Sequence, residues 1–173
     1  MGRIYACTYN GTLANASGNA DLIEIAPASN KPVKLRGFMV SQSTETDQEG
    51  LRITVKRLSA TLTSGSGGSS VTPIPCDSAD AAAGATVEMN NSTVATTDGT
   101  TVTLWDGNWN VNNSPFDFWW PDSNYAPKAK NGEGLVIRLE STPADDITAS
   151  ITVWIEDESR CPQPTPLRVL CSR

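Results

Sequence analysis

Ile147-Thr148-Ala149-Ser150-Ile151-Thr152-Val153-Trp154-Ile155-Glu156 is the stretch that decides the fold. Ile147, Ala149, Ile151, Val153 and Ile155 alternate with Thr148, Ser150, Thr152, Trp154 and Glu156. Successive side chains of a strand point to opposite faces, whereas a helix would scatter these apolar positions around its circumference. The segment therefore reads as a long strand with one face in a core. The same period sets Leu51, Ile53 and Val55 against Arg52, Thr54 and Lys56, a half-buried strand with a basic outer face. It recurs in Leu135, Ile137 and Leu139 against Val136, Arg138 and Glu140.

Working outward, strands are expected over residues 3–9, 20–26, 33–41, 86–90, 100–105 and 108–111. Turn residues separate them: Asn10-Gly11, Ser17-Gly18-Asn19, residues 27–32, Asp98-Gly99, Asp106-Gly107 and Asn131-Gly132. Asp98-Gly99 and Asp106-Gly107 read as hairpin turns, because positive φ costs little there. Eight or nine short antiparallel strands with this spacing imply an all-β fold, a jelly-roll-like β-sandwich, over residues 1–158. A long Gly/Ser-rich loop is expected at 59–85. Its segment Thr63-Ser64-Gly65-Ser66-Gly67-Gly68-Ser69-Ser70 reads as a flexible, linker-like excursion, and one helical turn fits within 79–85. Pro162, Pro164 and Pro166 make residues 159–173 an extended C-terminal arm, since proline lacks a backbone donor and favours polyproline II geometry.

Composition narrows the function. The chain has 173 residues, enough for one domain whose folding buries roughly 69% of its surface by the usual scaling. A net charge of −6 leaves no basic footprint for phosphates, so no nucleic-acid partner is expected. No stretch approaches the ~20 apolar residues that span a bilayer, so no membrane partner is expected either. Met1 to Asn10 lacks the continuous apolar core and cleavage site of a signal peptide, and folding in a cytoplasm is the expectation. Cys7, Cys76, Cys161 and Cys171 form no C-x-x-C pair, and there is no histidine. Zinc is therefore not expected. Four mostly buried free thiols are the default in a reducing compartment, with Cys161 and Cys171 the pair that could form a disulfide after release from the cell.

Without histidine there is no Ser-His-Asp or Cys-His arrangement, and Walker A and dinucleotide patterns are absent, so neither catalytic residues nor a cofactor is expected. The carboxylate clusters Asp145-Asp146 and Glu156-Asp157-Glu158 read as solvated strand ends. Asp106, Asn108, Asn110, Asn112 and Asp117 match the ligand spacing of a calcium-binding EF-hand loop, but position 6 is Val111 where glycine is needed. They read instead as an Asn-rich hairpin with Trp109 and Val111 facing inward. Trp105, Trp109, Phe116, Phe118, Trp119, Trp120 and Tyr125 form a dense aromatic cluster, with Phe116, Phe118 and Trp120 on one face and Asp117 and Trp119 on the other. It reads as core plus interface.

Several segments are similar to a known group: Phe38-Met39-Val40-Ser41-Gln42-Ser43, Glu49 to Arg57, Thr63 to Ser69, Ala81 to Glu88, and Pro143-Ala144-Asp145-Asp146-Ile147-Thr148. Over most of residues 38–156 the chain resembles small phage and prophage proteins. Those members with a role look like virion components, similar in size and β-content to capsid cement (decoration) proteins. The tail after Ser159 departs from that pattern. The resemblance implies a non-enzymatic protein, made in the host cytoplasm and located on the virion. It would bind the major capsid protein of the same phage and itself, as a symmetric homo-oligomer such as a trimer. The contact residues expected on this reading are Ser64, Gly65, Gly67, Gly68, Pro73, Pro75, Trp119 and Trp120, with Pro162, Pro164, Leu167, Val169 and Leu170 of the tail. The alternative is a carbohydrate-binding module or receptor-binding head or tail piece, using Trp109, Trp119 or Trp120 as a platform. An enzyme with a carboxylate pair ranks last.

Overall fold

A strand with one apolar face must bury that face against another layer, and a chain of such strands closes into two packed sheets. The computed structural model describes residues 2–14 and 19–158. Among them are the strands β1 (Arg3–Leu13), β2 (Ala20–Ala26), β3 (Val33–Gln42), β4 (Gly50–Leu58), β5 (Leu62–Thr63), β6 (Ser69–Val71) and β7 (Ile74–Pro75). They continue with β8 (Thr86–Asn91), β9 (Thr96–Thr97), β10 (Thr101–Asn110), β11 (Phe116–Trp119), β12 (Lys128–Ala129), β13 (Gly134–Leu139) and β14 (Ile147–Asp157). No helix occurs among the described residues.

The first sheet has the order β11-β3-β14-β1-β7, with β12 also on β3. The second has the order β10-β4-β13-β2-β8-β6, and β5 pairs with β9 separately. Within these lie the four-strand sets β1-β14-β3-β11 and β2-β13-β4-β10, which is the strand path of a jelly roll. Residues 59–100 are an insertion between β4 and β10, and they carry β5 to β9.

The core lies between the sheets. Leu35, Phe38, Val40, Ile151, Val153 and Ile155 come from one side and Ile23, Ile25, Ile53, Val55, Leu135 and Ile137 from the other, all fully buried together with Trp109. Phe38 is the hub of the aromatic cluster, with ring centroids 5.8 to 6.5 Å from Trp105, Phe116, Phe118 and Trp120. Cys7 is also in the core, where burial, and secondarily Cys76, push its thiol up to about 12. Cys76 is exposed, in contrast to the expectation of mostly buried thiols. Cys161 and Cys171 lie outside the described residues.

Four expectations of turns and local helix need correction. Asn10-Gly11 lies inside β1, and Asp106-Gly107 lies inside β10, where Gly107 is the register partner of Ile53. In both cases an aromatic side chain two residues earlier folds over the glycine. A Cβ on Gly11 would meet the Tyr9 hydroxyl at 2.2 Å, and one on Gly107 the Trp105 ring at 2.5 Å. The glycines serve close approach of a ring, not a turn. Asp98-Gly99 does bend the chain, but it joins β9 to β10, which pair with β5 and β4, so no hairpin forms. Residues 79–85 make no helix: one turn closes with Asp80 N–H donating to the Asp77 carbonyl at 3.0 Å.

The largest correction concerns the expected loop at 59–85, which does not leave the sandwich as a linker. Its Ser69–Val71 segment extends the second sheet as β6, and Ser66 and Thr93 exchange two backbone hydrogen bonds of 3.0 Å. Parts of the insertion, around Leu62 to Gly65 and at Ala95, lie over the outer face of the second sheet. Leu62 packs there on Leu58, Ala95 and outward-facing Val136 in a second small core. A polar layer lies beneath the same cover. Asp21, fully buried, accepts from Arg138 Nε at 2.6 Å and Nη2 at 3.2 Å, and from the Ala95 amide at 2.6 Å. Glu24 accepts from Ser64 Oγ at 2.6 Å, the Gly65 amide at 2.9 Å and Asn91 Nδ2 at 3.0 Å. Buried carboxylates are tolerated when donors satisfy them in this way.

Removing one partner of a buried ion pair leaves the other charge uncompensated. Arg138→Met should therefore cost about 3–5 kcal/mol of unfolding free energy, read as a lower urea midpoint at unchanged slope. A loss within 1 kcal/mol, on the order of an exposed pair, would contradict the buried layer.

Candidate functional site

The outer faces of the two sheets differ. The second sheet is covered in part by the insertion, and its outward basic residues on β4 are paired: Arg52 Nε donates to Asp106 Oδ1 at 3.0 Å, and Lys56 meets Glu140. The β4 face is basic in sequence but neutralised in structure. Burial raises the Glu140 carboxyl, yet hydrogen bonds from Lys56 and Thr54 outweigh it and hold the group below the usual value.

The first sheet carries an apolar row on its outer face. Register sets Ala6 beside Ile74 on one side and Trp154 on the other, Trp154 beside Gly37, and Gly37 beside Trp119. Ile74, Ala6, Trp154, Gly37 and Trp119 thus line up across β7, β1, β14, β3 and β11. The pleat accounts for their direction. Ile151, Val153 and Ile155 point into the core, so Trp154 points out. Trp119 stacks on Trp154 with centroids 4.5 Å apart and planes 34° off parallel. Gly37 makes this stack fit, since a Cβ there would lie 2.7 Å from the Trp119 ring. The two ends of the row are the most open: Ile74 is 60% exposed and Trp119 49%.

Polar groups border the row. On the flank toward the end of β14, Arg36 Nη1 donates to Glu156 at 3.0 Å, Lys34 Nζ lies 2.7 Å from Glu158, and Lys128 also meets Glu158. Lys34 further donates to Ser123 Oγ at 3.0 Å. Partial burial raises the Glu158 carboxyl, but hydrogen bonds from Lys128 and Lys34 prevail and lower it below the ordinary 4.5. Beyond the Ile74 end lies a depression of about 490 Å³ lined by Gly2, Arg3, Ile4, Cys76, Asp77 and Asp80, where Arg3 pairs with Asp80 at 3.1 Å.

The residues singled out from sequence do not share one surface. Exposed Ser64 and half-buried Gly65 hydrogen-bond Glu24, and exposed Gly67 and Gly68 follow them on the side of the second sheet, Gly68 against Asn91. Pro73 is buried, and Pro75 pairs with Tyr5 at the edge of the first sheet. Trp120 turns inward, 4.9 Å from Phe118, while Trp119 turns outward on the opposite layer from the Gly/Ser segment. Pro162, Pro164, Leu167, Val169 and Leu170 lie outside the described residues. Ile74, Ala6, Gly37 and Trp154 were not singled out. Only the alternation of Trp154 with buried isoleucines and valine hinted at it.

The carboxylate and calcium-like patterns are dispersed. The pleat separates Glu156 and Glu158 from Asp157, which is buried and accepts the Gly84 amide at 3.1 Å. Asp145 and Asp146 are exposed in the bend before β14. Asp106, Asn108 and Asn110 run along β10, whereas Asp117 belongs to the other sheet.

No family model, curated protein or solved structure matches this chain.

Two outcomes test the row and its rim. Gly37→Val should drive the Trp119 ring off Trp154, shift the tryptophan fluorescence, and cost about 1–3 kcal/mol as overpacking does. Unchanged emission would contradict the stack. Glu158 has a lowered folded-state pKa, so its contribution is present above the ordinary carboxylate value and lost as pH falls through the folded value. The thermal midpoint of wild type should exceed that of Glu158→Gln at pH 7, and the gap should narrow as the pH falls below the ordinary carboxylate value. A constant gap would argue against the ion pairs.

Proposed function

We propose that the chain is a non-catalytic jelly-roll protein that decorates a phage capsid, docking the outer face of its first sheet on the shell protein. The observation that carries this reading is the apolar row from Ile74 to Trp119. Its ends are exposed, and paired charges border it on the flank toward the end of β14, as a polar border flanks the dry centre of an interface. The resemblance to small virion components supplies the partner, the major capsid protein, and the location on the virion. Jelly rolls also build viral capsid and lectin domains, which is support by analogy alone. The sheet face is already set by packing beneath it, so docking there orders few side chains and keeps the entropic cost of binding low.

A second reading is favoured by the half-exposed Trp119 ring. Of the three tryptophans considered as a sugar platform, Trp109 is fully buried and Trp120 packs in the core cluster, which leaves Trp119 with Trp154.

Trp119→Ala and Ile74→Ala should each weaken binding to shells stripped of this protein by about 30-fold or more, as for an aromatic or aliphatic anchor worth 2 kcal/mol. Circular dichroism should stay as in wild type. Wild-type binding by both variants would overturn the capsid reading. Binding on a glycan array that is lost in Trp119→Ala, with no binding to shells, would favour the sugar reading.

A further inference from the structure

We propose that the open edge of β10 pairs antiparallel with the same edge of a second copy, about a two-fold axis through Gly107. The inference goes beyond the capsid reading and does not rest on it.

The edges of the two sheets are unequal. At one side the first sheet ends in two-residue β7 on Tyr5 and Ala6 of β1, whose further edge meets the Asn90 side chain, Nδ2 donating to the Thr12 carbonyl at 2.8 Å; at the other it ends in β11 and β12, of four and two residues, and the second sheet ends in three-residue β6. Edges kept this short offer little template for another strand. The remaining edge is β10, ten residues long. It has neither lysine nor proline, the residues that commonly blunt an edge. Val102 and Leu104, each 38% exposed, lie on it. The bulge between Thr103 and Trp105 interrupts the strand and leaves Trp105 to Asn110 as an unbroken run.

Backbone parity shows which groups face outward. Val111 N–H donates to the Glu49 carbonyl at 3.0 Å, in the same register that pairs Asn110 with Gly50. Odd residues of the run therefore direct their N–H and C=O groups to β4, and Asp106 and Asn108 direct theirs to the open side. No partner is seen for those backbone groups among the described residues. Asn110 is different, because its carbonyl already accepts the Asn113 amide at 2.9 Å. The usable ladder is centred between 106 and 108, at Gly107.

A two-fold axis at Gly107 sets Asp106 opposite Asn108 of the second copy, and Asn108 opposite its Asp106. Four backbone hydrogen bonds form, and each carboxylate faces a neutral amide rather than a like charge. Arg52 of the same copy already neutralises Asp106, so no repulsion opposes the approach. Gly107 occupies the non-hydrogen-bonded position, where the two backbones come closest. The product is a continuous sheet across two copies, a dimer rather than the trimer implied by the resemblance. The contact is smaller than the ~1,200–2,000 Å² of a standard interface, so the dimer should dissociate on dilution.

Sedimentation velocity over a dilution series, with amide hydrogen exchange at both ends of it, tests the proposal. The wild-type chain should pass from dimer to monomer, and the Asp106 and Asn108 amides should be protected only at high concentration. Gly107 and Trp109, bonded to β4, should be protected throughout. Asn108→Pro removes one outward donor per copy without touching β4, and should weaken the dimer about 30-fold or more, two net hydrogen bonds being lost. Asn108→Ala keeps the donor and should dimerise within a few-fold of wild type. A monomer at every concentration, a trimer, or protection of Asp106 and Asn108 that ignores concentration would each overturn the proposal. The exchange experiment needs no variant, so it decides even if Asn108→Pro fails to fold.

Discussion

Burial of the odd-numbered side chains of β14 constrains the rest of the molecule, because this strand is paired along its whole length to β1 and along most of it to β3. A one-residue slip would carry Ile151, Val153 and Ile155 to solvent and bring Trp154 and Glu156 into the core. At ~1.5–3 kcal/mol for each large apolar side chain exposed, such a slip is prohibitive. The register so enforced aligns Ala6, Trp154 and Gly37 across three strands. The outer row is thus a by-product of the inner one: packing beneath the sheet fixes the spacing of what lies on top.

The two outer faces then diverge for a physical reason. Val136, Asp21 and Glu24 face outward from the second sheet, and an exposed valine beside carboxylates would be a poor surface. The insertion between β4 and β10 buries them and satisfies them in the same move, by placing Ser64, Gly65 and the Ala95 backbone over the carboxylates. The first sheet has no comparable cover among the described residues. Its outward positions include threonines, serines, Asn10, Asp117, paired charges, Ile4, Met39 and the apolar row, so apolar surface stays open on this face.

The glycines show how one residue type serves different ends. Strand glycines at 11, 37 and 107 each lie against an aromatic ring from Tyr9, Trp119 and Trp105. A dipeptide such as Asn-Gly or Asp-Gly is a strong hairpin signal when alternating hydrophobic residues flank it. An aromatic residue two positions earlier changes its meaning, because the ring needs the space a side chain would fill. That cue is present in Tyr9-Asn10-Gly11 and Trp105-Asp106-Gly107.

By itself the sequence determined the all-β class, the core-facing residues of the longer strands and the outward direction of Trp119, since all of these follow from a period of two that any neighbour must respect. It carried hints of Trp154 in the same pattern. Tertiary structure alone decided what lies beside what. The alignment of Ile74 with Trp119 across five strands depends on pairings between residues far apart in the chain, and no local pattern encodes such a register. The Gly/Ser segment reads as a linker by composition, and it becomes a clasp only because Glu24 and Glu88 on adjacent strands present carboxylates to it. The openness of β10 follows from which strand ends the sheet, and that is set by the whole jelly-roll path rather than by residues 101–110.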